Sequence, residues 1–295
     1  MLDFRTDTFL SVCKHMNYTK AAEELNITQP AVSQHIKYIE EYYGAKVFGF
    51  NGKKMYLTEA GEMLYEAIST MKHNDSFLRD SIHNIRNHNS TLSFGATLTI
   101  GEYIIPGKLA AYLKKYPETK VNLTIANTEK LLSMLDKGEI DFAVVEGYFG
   151  KNQYEHIVFS LENYTAVCCK NHPFAETEKS LEELFSQTLI LREKGSGTRE
   201  ILTRSLEEKN LGIYDFKNII ELSNINAVKT LVEKDCGITF IYEAAVQEEL
   251  RKGTLKKIYV KDLIDKHEFT FIWRKNSVFS DYYKTIYDNL INSVL

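Results

Sequence analysis

The sequence has little of several features that would point to other classes of protein. Its 295 residues include only 4 prolines and 15 glycines, fewer than low-complexity or fibrous chains contain. No uncharged apolar run approaches the ~18 residues of a membrane-spanning helix. The first residues include acids where a secretion signal needs a basic and then an apolar stretch. We therefore expect a globular chain in the cytoplasm, without a membrane partner.

Cysteine is also scarce, and the charge is balanced. The eight histidines form no evident catalytic triad or metal pair, so we expect neither catalysis nor a cofactor. The chain carries 36 Lys+Arg and 40 Asp+Glu, spread over residues 1–90 and 91–295 alike, so bulk charge does not indicate nucleic-acid binding. Neither a CxxC motif nor a Cys/His zinc spacing occurs, which predicts free thiols and no metal site at Cys13, Cys168, Cys169 and Cys236.

The hydrophobic pattern changes near residue 90. A chain of this length outgrows a single core, so we expect two or three domains. Up to about residue 88 the pattern is helical, and beyond residue 91 short apolar runs alternate with amphipathic stretches, which predicts an α/β fold with a largely parallel sheet. The polar stretch 86–90 is the predicted hinge. The predicted strands are 92–96, 121–126, 142–146, 164–170, 188–192, 219–222, 238–242 and 269–273, with helices at 101–116, 129–137 and 226–234.

The N-terminal motif is a pair of helices joined by a tight turn. Thr19 is the predicted cap of a short helix, and Thr28 caps a second helix that ends at Gly44. The second helix has an apolar stripe at spacings of four and three residues. Polar side chains at its start could read base edges in a major groove, although a helical hairpin with a solvated face is the alternative. The predicted DNA-contacting residues of this motif are Thr28, Gln29, Pro30, Ser33, Gln34 and Lys37.

A small hairpin and a long helix follow. Apolar pairs at 47–48 and 56–57 bracket a loop containing Lys53 and Lys54, which predicts a wing whose cationic tip contacts phosphates. From Thr58 a helix of roughly 45 Å is predicted, with apolar residues in two sevenfold series offset by four. This pattern predicts a coiled-coil dimer seam, and an amphipathic helix packed on its own domain is the alternative. The seam comprises Leu64, Ile68, Met71, Leu78, Ile82 and Ile85.

Together these elements resemble the winged helix-turn-helix and linker helix of LysR-type transcriptional regulators. The resemblance implies binding to double-stranded promoter DNA as a homodimer or dimer of dimers (homotetramer), with RNA polymerase as a further candidate partner. One departure is Phe50, which stands where the family commonly carries Arg, so insertion of the wing into the minor groove is not expected from it. The matching positions between Phe9 and Gly61 are Ala21, Ala22, Leu25, Thr28 to Ser33, Ile36, Glu40, Gly44, Phe48 and Leu57 to Gly61.

Two segments of the C-terminal region bring hydroxyl groups to a predicted helix N-terminus. The first passes through Thr97 and Thr99, and the second is a glycine-rich run with Ser196, Thr198 and Arg199. Helix N-terminal N–H groups with adjacent hydroxyls can bind an anion, and an arginine can add a forked contact. The plainer alternatives are a helix cap at Thr99 and an ordinary glycine-rich turn.

This region resembles the two-lobed, periplasmic-binding-protein-like effector domain of the same family, most closely its sulfur-assimilation and carbon-fixation branch. The match includes residues 116–117, 135–141, 145–147 and 234–238. The resemblance implies a DNA-binding domain at 1–57, a linker helix and hinge at 58–90, lobe I at 91–161 plus 267–295, and lobe II at 162–266. It places a small-molecule effector between the lobes, bordered by Thr97, Thr99, Asn127, Thr128, Glu146, Ser196, Gly197, Thr198, Arg199 and Asn224.

Glu146 bears on the charge of that effector. Its carboxylate would repel an anion unless it pairs with Arg199 or binds an ammonium group, so we expect an anionic or zwitterionic effector. A carboxylate bound to a helix terminus, away from any ligand, is the alternative. The sequence thus predicts a ligand-responsive DNA-binding transcriptional regulator. The rival is a solute-binding protein or an enzyme on the same two-lobed fold, which would leave the helix pair and wing at 17–61 unexplained.

Overall fold

The computed structural model describes residues 3–52, 54–86, 90–261, 263 and 266–292, with the backbone alone at residues 80, 83–86 and 90. The predicted wing residue Lys53, the side chain of the predicted seam residue Ile85 and most of the predicted hinge lie outside the described residues. Within the described ranges, no helix is long and apolar enough to cross a membrane. All four cysteines are free.

The N-terminal part folds around one small core. The apolar stripe predicted for the second helix, Val32, Ile36 and Ile39, is buried there together with Phe9 and Phe48. The predicted helix pair and wing are confirmed. The elements are α1 (Arg5–His15), α2 (Tyr18–Leu25), α3 (Gln29–Tyr43), β1 (Phe48–Asn51) and β2 (Lys54–Leu57).

Side-chain caps set the bounds of the helix pair. The Thr28 hydroxyl accepts a hydrogen bond from the backbone N–H of Ala31, and Gly44 ends α3 with a φ of +68°, both as expected. The predicted Thr19 cap of α2 is wrong. Instead the Asn17 carboxamide oxygen accepts from the backbone N–H of Thr19 at 2.8 Å, so the helix begins one residue after Asn17.

Helix α4 (Glu59–Arg86) packs partly on its own domain. Ile68 is 3% exposed in the N-terminal core, and Leu64 packs against that core. The prediction that these two residues belong to the dimer seam is therefore corrected, because their apolar surface is already covered within the chain. Met71, Leu78 and Ile82 remain 54%, 47% and 51% exposed, so the outward-facing part of the seam is shorter than predicted.

The remaining chain forms two lobes. The predicted helix at 101–116 begins with a π-helical turn, Ile100–Ile104, before the α-helix starts. Lobe I contains β3 (Ser90–Ala96), α5 (Ile105–Lys115), β4 (Thr119–Ile125), α6 (Thr128–Lys137), β5 (Phe142–Val145) and α11 (Ser280–Asn292). Lobe II contains β7 (Glu178–Lys179), α7 (Leu181–Leu184), β8 (Thr188–Arg192), α8 (Gly197–Glu207), β9 (Asn218–Leu222), α9 (Ile225–Glu233), β10 (Thr239–Tyr242), α10 (Glu243–Lys252) and β11 (Leu255–Val260).

Two long strands, β6 (Tyr154–Cys169) and β12 (Lys266–Arg274), connect the lobes. One sheet runs in the order β4-β3-β5-β12-β6-β11-β7, and β10 also pairs with β6. The pairs within lobe I, β3 with β4 and with β5, are parallel, as are β8 with β9. The predicted largely parallel sheet is nevertheless wrong for the connecting strands, because β12, β10 and β11 all lie antiparallel to β6.

A buried polar contact joins α4 to lobe I. His73 is fully buried, with Nδ1 3.1 Å from the Leu135 carbonyl oxygen and Nε2 3.0 Å from the Tyr283 hydroxyl. Because a carbonyl only accepts, Nδ1 donates to Leu135, and in the neutral ring Nε2 then accepts from the Tyr283 hydroxyl. Burial lowers the pKa of His73 to about 4, and the nearby Arg274 charge also lowers it, whereas the bond to Leu135 raises it.

This histidine predicts a pH-dependent loss of stability. The unfolded chain protonates His73 near its ordinary pKa of about 6.5, the folded chain only near 4. Above pH 6.5 the protonation of His73 does not affect stability. As the pH falls from about 6.5 to about 4, it lowers the unfolding free energy progressively, by on the order of 3 kcal/mol in total. The difference in unfolding midpoint between the wild type and His73→Gln should therefore narrow on acidification. Thermal unfolding at neutral pH and near pH 4.5 measures it, and parallel curves would contradict this expectation.

Candidate ligand site and nucleic-acid interface

The N-terminal half of α3 presents polar side chains outward. Gln29 Nε2 donates to Ser33 Oγ at 2.9 Å, and Gln34 is exposed beside them. Thr28 and Pro30 are exposed at the first turn. Since α3 buries its apolar stripe, this polar surface is the one open to a partner, as the spacing predicts. Contact with DNA stays a prediction.

Lys37 lies on the same surface, with Nζ 3.6 Å from a carboxylate oxygen of Glu41. Both side chains are largely exposed, so the pair contributes little to stability and can exchange for a phosphate. The ammonium group is therefore available to a nucleic acid.

The wing is a two-stranded hairpin with an exposed tip. Phe50 pairs with Met55 across the hairpin, and Asn51 pairs with Lys54. Gly52 has a φ of +62°, which the tight connection between the strands requires. Lys54 and Phe50 are both exposed, so the hairpin carries a cation and an aromatic ring near its tip.

The two lobes meet where β5 ends and α8 begins. Thr198, the second residue of α8, donates from Oγ1 to Glu146 Oε1 at 2.7 Å. Thr128 Oγ1 donates to the Glu146 carbonyl oxygen at 3.0 Å and so fixes the end of β5 against α6. Thr97 and Thr99 are buried on the lobe I side, between β3 and the π-helical turn. The structure thus brings these four threonines and Glu146 together, as the sequence predicts.

Glycines allow this close approach. A Cβ atom added to Gly197 would lie 2.3 Å from the Glu146 carbonyl oxygen. Gly147 has a φ of +84°, and a Cβ there would lie 2.7 Å from the Gly197 Cα atom. Nearby, a Cβ on Gly195 would lie 3.2 Å from Asn127 Nδ2, which places Asn127 at the same cleft. Any larger residue at these positions would push the lobes apart.

Two predicted ligand residues have structural roles instead. Arg199 Nη1 donates to Glu221 Oε2 at 2.5 Å and to the Arg192 carbonyl oxygen at 3.1 Å, so it neither pairs with Glu146 nor points at the cleft as predicted. Asn224 is exposed and caps α9 by accepting from the backbone N–H of Ala227 at 2.9 Å. Spacing places both residues near the cleft but does not show which way a side chain turns.

Arg192 is the cation that the sequence analysis missed. It is 5% exposed at the end of β8, and its charge lowers the pKa of Glu146. Two of its nitrogens bind Glu193, with Nε 2.8 Å and Nη2 3.0 Å from the carboxylate oxygens. Its position could have indicated it, because ligands bind outside the carboxyl ends of strands in open α/β sheets.

The Glu146 carboxyl is fully buried, and its environment acts on its pKa in two directions. Burial raises the pKa, and this is the largest effect. Thr198, Arg192 and Thr99 lower it by hydrogen bonding and charge. Two buried tyrosines at the same place, Tyr164 and Tyr242, have pKa values raised well above the ordinary range by burial and then by the Glu146 charge. The site therefore holds a carboxyl group that is buried among polar side chains.

The described part of the chain contains no group of three or more His, Cys, Asp or Glu side chains that could hold a metal ion. Hydroxyl, carboxyl and guanidinium groups, without a metal cluster in those ranges, equip the cleft to bind a small polar molecule.

Two family profiles match the chain. The profile described as bacterial regulatory helix-turn-helix protein, lysR family, matches residues 5–62. The profile described as LysR substrate binding domain matches residues 86–292. The two matched ranges contain the exposed α3 surface and the interlobe cleft, respectively.

Relatives and solved structures agree with these matches. The uncharacterized HTH-type transcriptional regulator MJ0300 of Methanocaldococcus jannaschii is 31% identical over 260 residues, 87% of each chain. The HTH-type transcriptional regulator CysL of Bacillus subtilis is 29% identical over 90% of this chain and 88% of that one. Further relatives at 26–27% identity are named RuBisCO regulators. A mutant OxyR of Corynebacterium glutamicum superposes with a TM-score of 0.62, at 21% identity, over 98% of this chain and 90% of that one, which confirms the predicted fold.

The glycine contact across the cleft predicts a difference between two Gly→Ala substitutions. Gly197→Ala forces a Cβ against backbone of the opposite lobe and should lower the unfolding free energy by about 1–3 kcal/mol. Gly107→Ala, in α5, is the matched control, because its Cβ would meet no described atom within 4 Å. It should raise stability by about 0.5–1 kcal/mol. Urea unfolding compares them, and equal effects would show that the lobes do not meet at Gly197.

Proposed function

This chain belongs to the LysR family of transcriptional regulators, and we propose that it binds promoter DNA through α3 and a small polar metabolite between its two lobes. The observation that carries the proposal is that one chain contains both an exposed polar surface on α3 and a buried polar cleft built from both lobes. The rival interpretation, a solute-binding protein or an enzyme, has no support from the relatives, which are named regulators.

The proposal divides the chain by task. Residues 1–57 bind DNA, residues 58–90 carry the linker helix and hinge, and residues 91–161 with 267–295 form lobe I opposite lobe II at 162–266. Its place of action is the cytoplasm, where the DNA is, and it acts without catalysis. The ligand changes DNA binding only to the extent that it binds two arrangements of the lobes with different affinity.

The linker helix supports assembly into a homodimer. Met63, Met71, Leu78 and Ile82 lie at helical spacing along α4 and are exposed by about half or more. An exposed apolar stripe of this length is covered most simply by a second copy of the same helix. The dimer brings two copies of α3 to one DNA duplex, or four copies in a dimer of dimers.

The DNA-binding part of the proposal predicts distinct effects of two substitutions. Gln29→Ala removes a group placed to contact a base edge and should lower discrimination between the preferred and altered sequences by about 1–3 kcal/mol. Lys54→Ala removes a phosphate contact and should weaken binding to all DNA sequences alike. It should also reduce the slope of log affinity against log salt concentration by about one. Fluorescence anisotropy with DNA from upstream of the protein's own gene measures both. Lys170→Ala, on lobe II, is the control, and an effect of Lys170→Ala equal to that of Lys54→Ala would contradict the assignment.

The assembly part predicts that acidic residues on α4 break the dimer. Met71→Glu with Leu78→Glu would bury unpaired charges between two helices and should raise the dimer dissociation constant at least about tenfold. Glu62→Gln with Glu66→Gln changes charge on the same helix outside the exposed stripe and should leave assembly unchanged. Sedimentation equilibrium distinguishes them. A double-Glu variant that remains as dimeric as the wild type would place the interface elsewhere.

A further inference from the structure

Several polar atoms in the cleft wall are buried without a hydrogen-bond partner among the described residues. A buried polar group left unpaired costs about 1–3 kcal/mol, so a cluster of them indicates a partner from outside the chain. The atoms are Thr97 Oγ1, Thr99 Oγ1, Glu146 Oε2, Arg192 Nη1, Ser196 Oγ and the Tyr242 hydroxyl oxygen. The Thr99 hydroxyl has no partner at hydrogen-bond distance but lies close enough to Glu146 to lower the pKa of that carboxyl.

These atoms belong to both lobes and differ in character. Arg192 Nη1 donates, the hydroxyls of Thr97 and Ser196 donate or accept, and Glu146 Oε2 in its ionised form only accepts. Ser196 directly precedes α8, an 11-residue helix whose first N–H groups favour negative charge, and the backbone N–H of Thr198 in this helix already binds the Glu146 carboxylate. The cleft therefore offers one carboxylate acceptor beside a group of donors.

The balance of charge decides what can bind. The Arg192 guanidinium already binds the Glu193 carboxylate through two nitrogens, and Arg199 binds Glu221. Glu146 accepts a hydrogen bond from Thr198, but the described residues place no lysine or arginine nitrogen within 4.0 Å of its oxygens. Among these three acids Glu146 is the one without an ion-pair partner, so in its ionised form it leaves a negative charge in the cleft that no described lysine or arginine pairs directly. A purely anionic ligand would add to that charge.

We propose that the effector is a small zwitterion of the amino-acid type, with its ammonium group on Glu146 Oε2 and its carboxylate on Arg192 Nη1, Ser196 Oγ and Thr97 Oγ1. The inference rests on the proposed function, since it names the class of molecule for the same cleft. The ammonium group supplies the missing cation to the buried carboxylate, and the carboxylate accepts from donors that lack a partner. Charge-assisted hydrogen bonds of this kind are about twice as strong as neutral ones.

The first test compares ligands that differ only in the amino group. Isothermal titration calorimetry of the full chain uses the twenty standard L-amino acids and, for each amino acid that binds, the carboxylic acid that lacks its amino group, such as propionate for alanine or 3-hydroxypropionate for serine. Inorganic sulfate and phosphate serve as anions. At least one amino acid should bind, and its counterpart without the amino group should bind at least about tenfold more weakly. Binding by the anions and counterparts alone, or by no amino acid, would overturn the proposal.

The second test removes the charge that recognises the ammonium group. Glu146→Gln keeps the shape of the side chain and should lower the affinity for the amino acid at least about tenfold. The affinity of the variant for simple carboxylates should not fall. Glu118→Gln changes an exposed carboxylate between α5 and β4 of lobe I, away from the cleft residues, and is the matched control, expected to bind like the wild type. Equal losses in both variants would mean that general charge, not contact with Glu146, attracts the ligand.

The outcomes separate this inference from the proposed function. The wild-type comparison of ligands stands even where Glu146→Gln does not fold. An amino acid that binds while the protein selects no DNA would overturn the proposed function and leave the ligand class intact. Selective DNA binding that responds to sulfate or phosphate, and to no amino acid, would overturn the ligand class alone.

Discussion

One continuous strand governs how the C-terminal lobes can move. The first part of β6 pairs with β12, and its last residues pair with β10 and β11 of lobe II. Within lobe I the pairing with β12 shifts by one residue, so Phe159 is an extra residue on β6 between the partners of Phe269 and Thr270. A bulge bends and twists the strand locally. Beyond it β6 continues without a break into lobe II, so the lobes cannot separate at this strand.

This constraint gives the Glu146 contact its importance. With the lobes joined at the crossing strands, the hydrogen bond from Thr198 to Glu146 and the approach of Gly197 to Gly147 close the other side of the cleft. Unpaired buried groups beside that closure cost free energy, which a ligand that pairs them would recover. On lobe I, the Ser76 hydroxyl of α4 donates to the Gly138 carbonyl oxygen at 2.9 Å, which ties the linker helix to lobe I.

The sequence was most informative where local rules determine structure. Spacing and capping were sufficient to predict the bounds and the buried face of α3, because Val32 and Ile36 are four residues apart on one side of the helix and Gly44 ends it. Burial by a distant segment is not visible in a periodic pattern, so Ile68 fits a dimer seam and an intrachain core equally well. Residues 154–163 were missed as a strand because their sequence has neither a long apolar run nor a strict alternation of apolar and polar residues, and only Tyr154 and Phe159 are buried there. The sequence predicted Arg199 as the arginine of the cleft, whereas the structure has Arg192 near Glu146. The difference lies in the direction of the two side chains, which only tertiary packing decides.

The central claim is that two copies of this chain form a dimer that binds DNA sequence-specifically. Sequencing the genomic DNA fragments that the purified protein retains tests this most directly. The account predicts one enriched motif with two half-sites in approximate dyad symmetry, spaced by about one helical turn or a multiple of it. Retained fragments without a shared motif would contradict it.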